Sequence, residues 1–381
     1  MKKSCVYIDP QSYLNLAIYD YGLLSHIDGD VHYVCSTLYD YKPLPANVRQ
    51  HRLFKYSLFK HKAAKAISYM STCILLGFRL LCWRPSVVHV QWLRIPSFDY
   101  RYYWLLKKML GCRLVFTAHN ILPHDSGTRY LKSFQAFYQL ADAIIVHTEA
   151  TKEELLSTFK LQEDKVHVIA HGLLQIKFDP QLLSQKQKEY DDHYQLDGKM
   201  VFSALGYQCQ YKGVDIIAQV WASTPELCQN SQCKLLLIGK NHGVDLSALD
   251  GVSNAIVEDR MVSDEEFFYL LRHTDVYLLP YRRISQSGVL LTAIATETPV
   301  LVTDIGGLTD PLKVAPVGWQ MPQLSADALR KHLLWLLEHP DEVRKVKGNH
   351  DNWNKLRDYY SWERIGTLTQ QLYSALSERN Q

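Results

Sequence analysis

Several short stretches of this chain set anion-binding or hydroxyl-binding groups at the end of an apolar run. The fullest is Leu278-Leu279-Pro280-Tyr281-Arg282-Arg283-Ile284-Ser285-Gln286-Ser287-Gly288-Val289. An apolar run stops at Pro280, two arginines follow, and a polar loop leads into a second apolar run through Thr292. If that second run is a helix, the N–H groups of Ser287, Gly288 and Val289 lie at its positive end, beside two guanidinium forks. Such a combination can cradle a diphosphate, although an ordinary strand-to-helix turn with exposed arginines has the same spelling. Gly206 followed by Lys212-Gly213 repeats the theme, as a turn glycine and a cation before a helical pattern. Gly239 and Gly306-Gly307 close two further apolar runs.

The first half offers different chemistry. Val115-Phe116-Thr117-Ala118-His119-Asn120-Ile121-Leu122-Pro123-His124-Asp125 delivers His119, Asn120, His124 and Asp125 to the end of an apolar run, where their side chains can hydrogen-bond sugar hydroxyls. A satisfied strand-end histidine is the plain alternative for His119. No histidine pair with the helical i, i+4 spacing of a metal site occurs there, so no metal is expected.

The elements that must hold these groups alternate. Strand-like runs are read at 5–8, 31–35, 87–90, 113–117, 143–147 and 166–170, with amphipathic helical stretches such as 102–110 and 133–140 between them. Thr151-Lys152-Glu153-Glu154 and Ser263-Asp264-Glu265-Glu266 read as helix starts. The polar stretch 178–199 reads as an interdomain linker. Strands then resume at 200–205, 234–238, 276–279 and 300–302, with helices at 214–221, 267–272, 327–337 and 362–376. This βαβα rhythm predicts two doubly wound α/β domains, 1–185 and 186–361, facing across a cleft. Ligands should sit outside the carboxyl ends of their strands.

Composition limits the function. The 381 residues amount to two or three domains at about 150 residues each, and 47% apolar residues suffice to bury their cores. Net charge of +3 is too balanced for a nucleic-acid partner. Eight cysteines without a Cys-x-x-Cys pair argue against a zinc ribbon or a disulfide scaffold and suit a reducing, cytoplasmic setting. The apolar stretch 66–83 contains Arg79 and Gly77 and reads as too polar to span a membrane. Residues 49–65 hold six lysines and arginines and no acid, interleaved with Leu53, Phe54, Tyr56, Leu58 and Phe59. That stretch could rest on an anionic membrane surface, or be a solvated loop and helix face.

In their order and spacing these features resemble a retaining, nucleotide-sugar-dependent glycosyltransferase of the GT-B fold, most closely glycosyltransferase family 4. Val87-Val88-His89-Val90 and Phe116-Thr117-Ala118-His119-Asn120 resemble its acceptor-domain strands. Val168-Ile169-Ala170-His171-Gly172 resembles its Ile-Pro-Asn-Gly turn. Gly206 with Lys212-Gly213, Leu236-Leu237-Ile238-Gly239 and 280–307 resemble its donor domain. Tyr360-Ser361-Trp362 resembles the start of its last helix, which implies that 362–381 packs back on the first domain.

The resemblance implies that His119 contacts the donor sugar near the anomeric centre and that Lys212 pairs with the diphosphate leaving group. Gly206, Gly239, Arg282, Arg283, Ser287, Gly288, Val289 and Thr292 would complete the donor site, with Asn120 and His124 toward the acceptor. It also implies no metal cofactor, because lysine, arginine and helix termini meet the leaving charge. Where the family carries Glu-x7-Glu this chain has Ile284 and Thr292, and the arginine often found between Gly206 and Lys212 is missing. Arg282 or Arg283 is left to take that arginine's place.

The expected reaction moves a glycosyl group from a nucleotide diphosphate sugar to a hydroxyl of a glycan or lipid-linked acceptor with retention, in bacterial polysaccharide or lipopolysaccharide synthesis. A nucleotide-sugar epimerase of the same fold is one rival, and a non-catalytic nucleotide- or glycan-binding protein is another.

Overall fold

The computed structural model describes residues 4–14, 16–123, 129–284 and 286–378. Contacts divide the chain into two compact units. One comprises 1–172 with 360–381, and the other comprises 173–359.

In the first unit, among the described residues, seven strands form one parallel sheet. They are β1 (Cys5–Asp9), β2 (Val31–Ser36), β3 (Val48–Phe54), β4 (Val87–Val90), β5 (Arg113–Thr117), β6 (Ala143–Val146) and β7 (Val166–Val168), in the order β3-β2-β1-β4-β5-β6-β7. Every residue of β1, β2, β4 and β6 is buried, and these strands are mostly apolar, because helices cover both of their faces. One face packs Tyr69, Leu76, Tyr103, Leu106 and Phe137 from three helices against the sheet. The other takes Tyr19 and Leu23 from the helix Leu16–Leu24, with Ile365, Tyr373 and Leu376 from the last helix, Trp362–Glu378. The Trp362 ring lies against two glycines. A Cβ on Gly22 or Gly172 would come within 2.3 Å of it.

In the second unit, β8 (Met200–Leu205), β9 (Cys233–Ile238), β10 (Ala255–Glu258), β11 (Val276–Leu279), β12 (Val300–Thr303) and β13 (Gly318–Met321) form a parallel sheet in the order β10-β9-β8-β11-β12-β13. Both sheets grow outward in two directions from their first strand. Each therefore has a switch point, between β1 and β4 and between β8 and β11, where loops on either side part and leave room for a ligand.

The structure departs from the reading of the sequence in four places. The stretch 178–199 is mostly the helix Pro180–Tyr194 in the second unit, whose first turn is capped by the Asp179 carboxylate. Its few apolar positions concealed a helix held by a narrow stripe, with Tyr190 and Tyr194 buried. The division of contacts accordingly falls between Gly172 and Leu173, where the sequence suggested 185.

Residues 49–54, read as part of a basic membrane stretch, belong to edge strand β3, and Phe54 and Tyr56 turn into the core. Strands β3, β10 and β13 escaped notice because each mixes polar with apolar residues, as sheet edges do. The helix expected at 151 begins earlier. Thr148 is the cap of Glu149–Thr158, its hydroxyl accepting from the Thr151 amide at 3.0 Å.

Candidate active site

The carboxyl edge of the first sheet carries a linked set of imidazoles. Strand β5 ends at Thr117 and delivers His119, β4 carries His89 and ends next to Gln91, and β6 is followed by His147. His147 Nδ1 donates to the Ile169 carbonyl at 3.0 Å, so its Nε2 accepts, and His119 Nδ1 lies 3.2 Å from it as the donor. His119 Nε2 then carries the lone pair and meets the Gln91 side-chain amide at 2.9 Å.

On the far side, the Tyr373 hydroxyl donates to His89 Nδ1 at 2.5 Å, which leaves His89 Nε2–H to donate to Thr117 Oγ1 at 2.7 Å. Gln91 Oε1 lies 2.9 Å from His119 Nε2, and its nitrogen lies 2.9 Å from His89 Nε2 and 3.2 Å from Thr117 Oγ1; these imidazole protons require the amide turned by 180°, with its NH2 on His119 and its oxygen toward His89 Nε2.

Burial holds this set neutral. It pushes His89 and His147 down to about 3 and His171 down to about 4. His119 lies well below the usual histidine range, first through burial and then through its imidazole neighbours. Its ring is fixed from two sides, stacked on Trp92 at 4.8 Å and met edge-on by Tyr19 at 4.9 Å. A neutral, immobilised imidazole cannot supply a proton at pH 7. Its Nε2 lone pair is met by the Gln91 amide.

His119 and Asn120 line a cavity of about 530 Å³ together with Gln11, Gln91, Trp92, Arg94 and Arg129. Among the described residues, two arginines and no carboxylate line it. Arg94 donates to the Gln11 side-chain oxygen at 2.7 Å. Beneath it, Asp9 ends β1 next to Asp20, which accepts from the Tyr7 and Tyr33 hydroxyls at 2.7 and 2.5 Å. Burial pushes both carboxyls up, Asp20 to about 6. His124, expected toward the acceptor, lies outside the described residues. Gln91, Trp92, Arg94 and His147 were missed by the sequence reading. Each follows the end of an apolar strand by a few residues, and that position was the available signal.

The second unit has its own carboxyl edge. Gly206 follows β8 and Gly239 follows β9. A Cβ on Gly239 would lie 1.8 Å from the Gly206 carbonyl oxygen, so the two loops meet backbone to backbone. Gly213 has φ +71°, and a Cβ there would fall 2.0 Å from the Pro280 carbonyl oxygen. That close approach locks the Lys212-Gly213 turn against the end of β11, at the switch point of the sheet.

Lys212 Nζ stands 6.0 Å from the centre of the buried Tyr281 ring. Among the described residues no carboxylate lies within ion-pair distance of it. Burial lowers its pKa, so Lys212 is a partly desolvated cation.

Arg282 does something else. Its guanidinium forks onto Asp215 at 2.7 and 2.6 Å and also donates to the Gln210 carbonyl, while its amide donates to Tyr211 at 2.7 Å. It braces the loop after β11 to the helix Val214–Ser223, and its charge is met by Asp215. Arg283 is exposed.

Ser287 caps the helix Gly288–Ala295, accepting from the Leu290 amide at 3.3 Å, and Gly288 and Val289 form the first turn as expected. Thr292 is buried and its hydroxyl donates to the Gly288 carbonyl at 3.0 Å, so it serves the helix. The structure thus gathers Lys212, Gly206, Gly213 and Gly239 at one sheet edge and turns Arg282 and Thr292 to internal bonds.

These two sheets, each with its switch point, define a GT-B fold. The cyanobacterial sucrose-phosphate synthase of Thermosynechococcus elongatus superposes with a TM-score of 0.70 at 17% identity over 99% of both chains. An Anabaena protein solved in complex with UDP superposes with a TM-score of 0.69 at 11% identity over 98% of this chain and 100% of that one.

Residues 27–173 match the model for Glycosyltransferase Family 4, and residues 199–339 match that for Glycosyl transferases group 1. The chain is a family 4-like glycosyltransferase of the group 1 type. A glycosyltransferase of Methanocaldococcus jannaschii is 26% identical over 67% of this chain and 65% of its own length. The D-inositol 3-phosphate glycosyltransferase of Corynebacterium urealyticum is 25% identical over 72% of this chain and 68% of its own. The capsular polysaccharide biosynthesis glycosyltransferase CapM of Staphylococcus aureus is 23% identical over 63% and 64%. The match to the first of these relatives therefore spans just under two thirds of that protein.

Proposed function

We propose that this protein transfers a glycosyl group from a nucleoside diphosphate sugar to an acceptor hydroxyl with retention of configuration. The observation that carries the reading is Lys212, a half-buried cation without a carboxylate partner among the described residues, at the switch point of the second sheet. A diphosphate supplies the missing counter-charge, and the helix start at Ser287, Gly288 and Val289 adds N–H donors to it. Lys212 stabilises the leaving diphosphate as the glycosidic bond breaks. The Anabaena relative solved with UDP supports a uridine nucleotide as the first donor to try. No metal is required in this scheme, since the charge falls on Lys212 and backbone dipoles.

The acceptor occupies the arginine-bearing cavity of the first unit, where Asn120 and the lone pair of His119 bind sugar hydroxyls. His119 is neutral and both its nitrogens are engaged, so it positions and does not relay a proton. A non-bridging oxygen of the departing phosphate takes the acceptor proton as the new bond forms. Capsular or lipopolysaccharide assembly at the cytoplasmic side of a bacterial membrane is the setting we favour, supported by the similarity to CapM.

The test is a thermal-shift series with UDP, GDP, ADP and CMP, followed by radiolabelled-sugar transfer with the stabilising nucleotide. One nucleotide should raise the Tm of the wild type and leave Lys212→Met unmoved. Stabilisation without transfer or donor hydrolysis would reduce the protein to a nucleotide-binding module, and no stabilisation by any of the four would remove the proposal.

A further inference from the structure

We propose that the first unit docks on an anionic lipid bilayer through the outer faces of the helices Lys62–Trp83 and Pro96–Leu110. These helices lie side by side on one face of the sheet. Tyr69 meets Phe98 at 6.4 Å between ring centres, and the Tyr102 hydroxyl donates to the Cys73 carbonyl at 2.7 Å. Their inner sides are core, with Tyr69, Cys73, Leu76 and Leu80 from one and Tyr103 and Leu106 from the other.

The outer sides are apolar as well. Ile67, Ile74, Leu75 and Phe78 recur at helical spacing and are exposed, Phe78 by 65%. Trp104, Leu105 and Met109 do the same on the neighbour, Met109 by 54%. Scattered exposed apolar residues are ordinary, whereas seven on two touching helices make a patch with a purpose.

Charge decides what covers it. Residues 41–124 contain fourteen lysines and arginines and a single acid, Asp99, which is fully buried. The rest of the chain holds twenty-eight basic and thirty-eight acidic residues. Lys60, Lys62 and Lys65 stand at one end of the first stripe and Arg79 one turn beyond Leu75, while Arg101 and Lys108 flank Trp104. None of these six has a carboxylate within ion-pair distance among the described residues, whereas Lys107 on the inner side is held by Asp142 at 2.8 Å.

Apolar side chains ringed by cations without carboxylate partners among the described residues match a headgroup layer over acyl chains, with the rings inserted and the long basic stems reaching back to the phosphates. A second copy would bring like charges face to face. Against the reading of its sequence as too polar, the helix Lys62–Trp83 is by length and composition apolar enough to cross a membrane. Crossing would strip Tyr69, Cys73, Leu76 and Leu80 from the core, so it lies on the surface.

The experiment sediments the full chain with vesicles of phosphatidylcholine alone and of equal parts phosphatidylcholine and phosphatidylglycerol, at low and high salt. The protein should pellet with the anionic vesicles only, and less so in high salt. The double variant Phe78→Ser, Trp104→Ser should weaken binding by at least about tenfold. Arg101→Gln and Lys108→Gln should each weaken it by about fivefold. Unchanged Tm values show that the variants fold, and nucleotide-induced stabilisation should persist in all of them, which separates this proposal from the donor reading.

The proposal is overturned if anionic vesicles leave the wild type in solution at low salt. It is also overturned if neutral vesicles bind equally or the variants bind as the wild type does. A dimer in solution that the double variant breaks would assign the patch to a second copy and overturn it too.

Discussion

Lys212 and Arg282 are both cations at one sheet edge, and the structure gives them different partners. Arg282 has a carboxylate and two backbone partners, whereas Lys212 has an aromatic ring nearby and, among the described residues, no carboxylate partner. Lys212→Ala should therefore lower kcat/KM for the donor by about 100-fold or more, the usual cost of removing one donor to developing charge, with little change in Tm. Arg282→Gln should show the reverse balance, a lower Tm with nucleotide stabilisation largely retained. Steady-state kinetics beside differential scanning calorimetry reads both.

The imidazoles make a second prediction at this scale. His89 and His147, at about 3 when folded, bind a proton only on unfolding between that value and the ordinary 6.5, so acid weakens the fold across this window. Each such group contributes up to about 1.4 kcal/mol per pH unit. Asp20, at about 6, and Asp99, at about 7, act in the opposite sense. They hold a proton in the fold and release it on unfolding, so their burial costs stability as pH rises from 4 to 7. His89→Gln should remove one term of the first kind. Its stability, plotted against pH, should fall less steeply than that of wild type from pH 6.5 to 4.

Elements here are positioned by close backbone approaches as much as by apolar burial. Gly239 sits at φ +153°, against the Gly206 carbonyl, so Gly239→Ala forces both loops apart and should cost about 2–4 kcal/mol. Gly251 has φ +78° and open space around it, so Gly251→Ala carries only the strain of a left-handed residue, about 1 kcal/mol. Urea unfolding of the pair separates contact from conformation. The same logic explains why Trp362 needs glycine on both sides. Gly22→Ala should displace the start of the last helix, losing about 1–3 kcal/mol.

Across the whole molecule, the chain returns to its first unit after completing the second. Ile365, Tyr373 and Leu376 enter the core beside Tyr7 and Tyr33, and the Tyr373 hydroxyl sets the tautomer of His89. Removing 360–381 should therefore loosen the first unit and spare the second. Hydrogen exchange should show β1 and β4 losing protection while β8 and β9 keep theirs. Equal loss in both units would mean that they unfold as one.

The βα rhythm, the strand cores at β1, β4, β5, β8 and β11, and the positions of Lys212, His119 and Ser287 at strand and helix ends were legible in the residues alone, because period and capping chemistry are local. The partners of the charged groups were not. Whether Arg282 meets a ligand or Asp215 depends on how two loops 67 residues apart settle against each other. The basic stretch at 49–65 divided for a similar reason. Phe54 and Tyr56 were drawn inward by the sheet while Leu58 and Phe59 stayed exposed, and most of the exposed apolar surface lies on the two helices that follow. Local pattern determines what an element is, and which of its faces is left open depends on neighbours that only the folded chain brings into place.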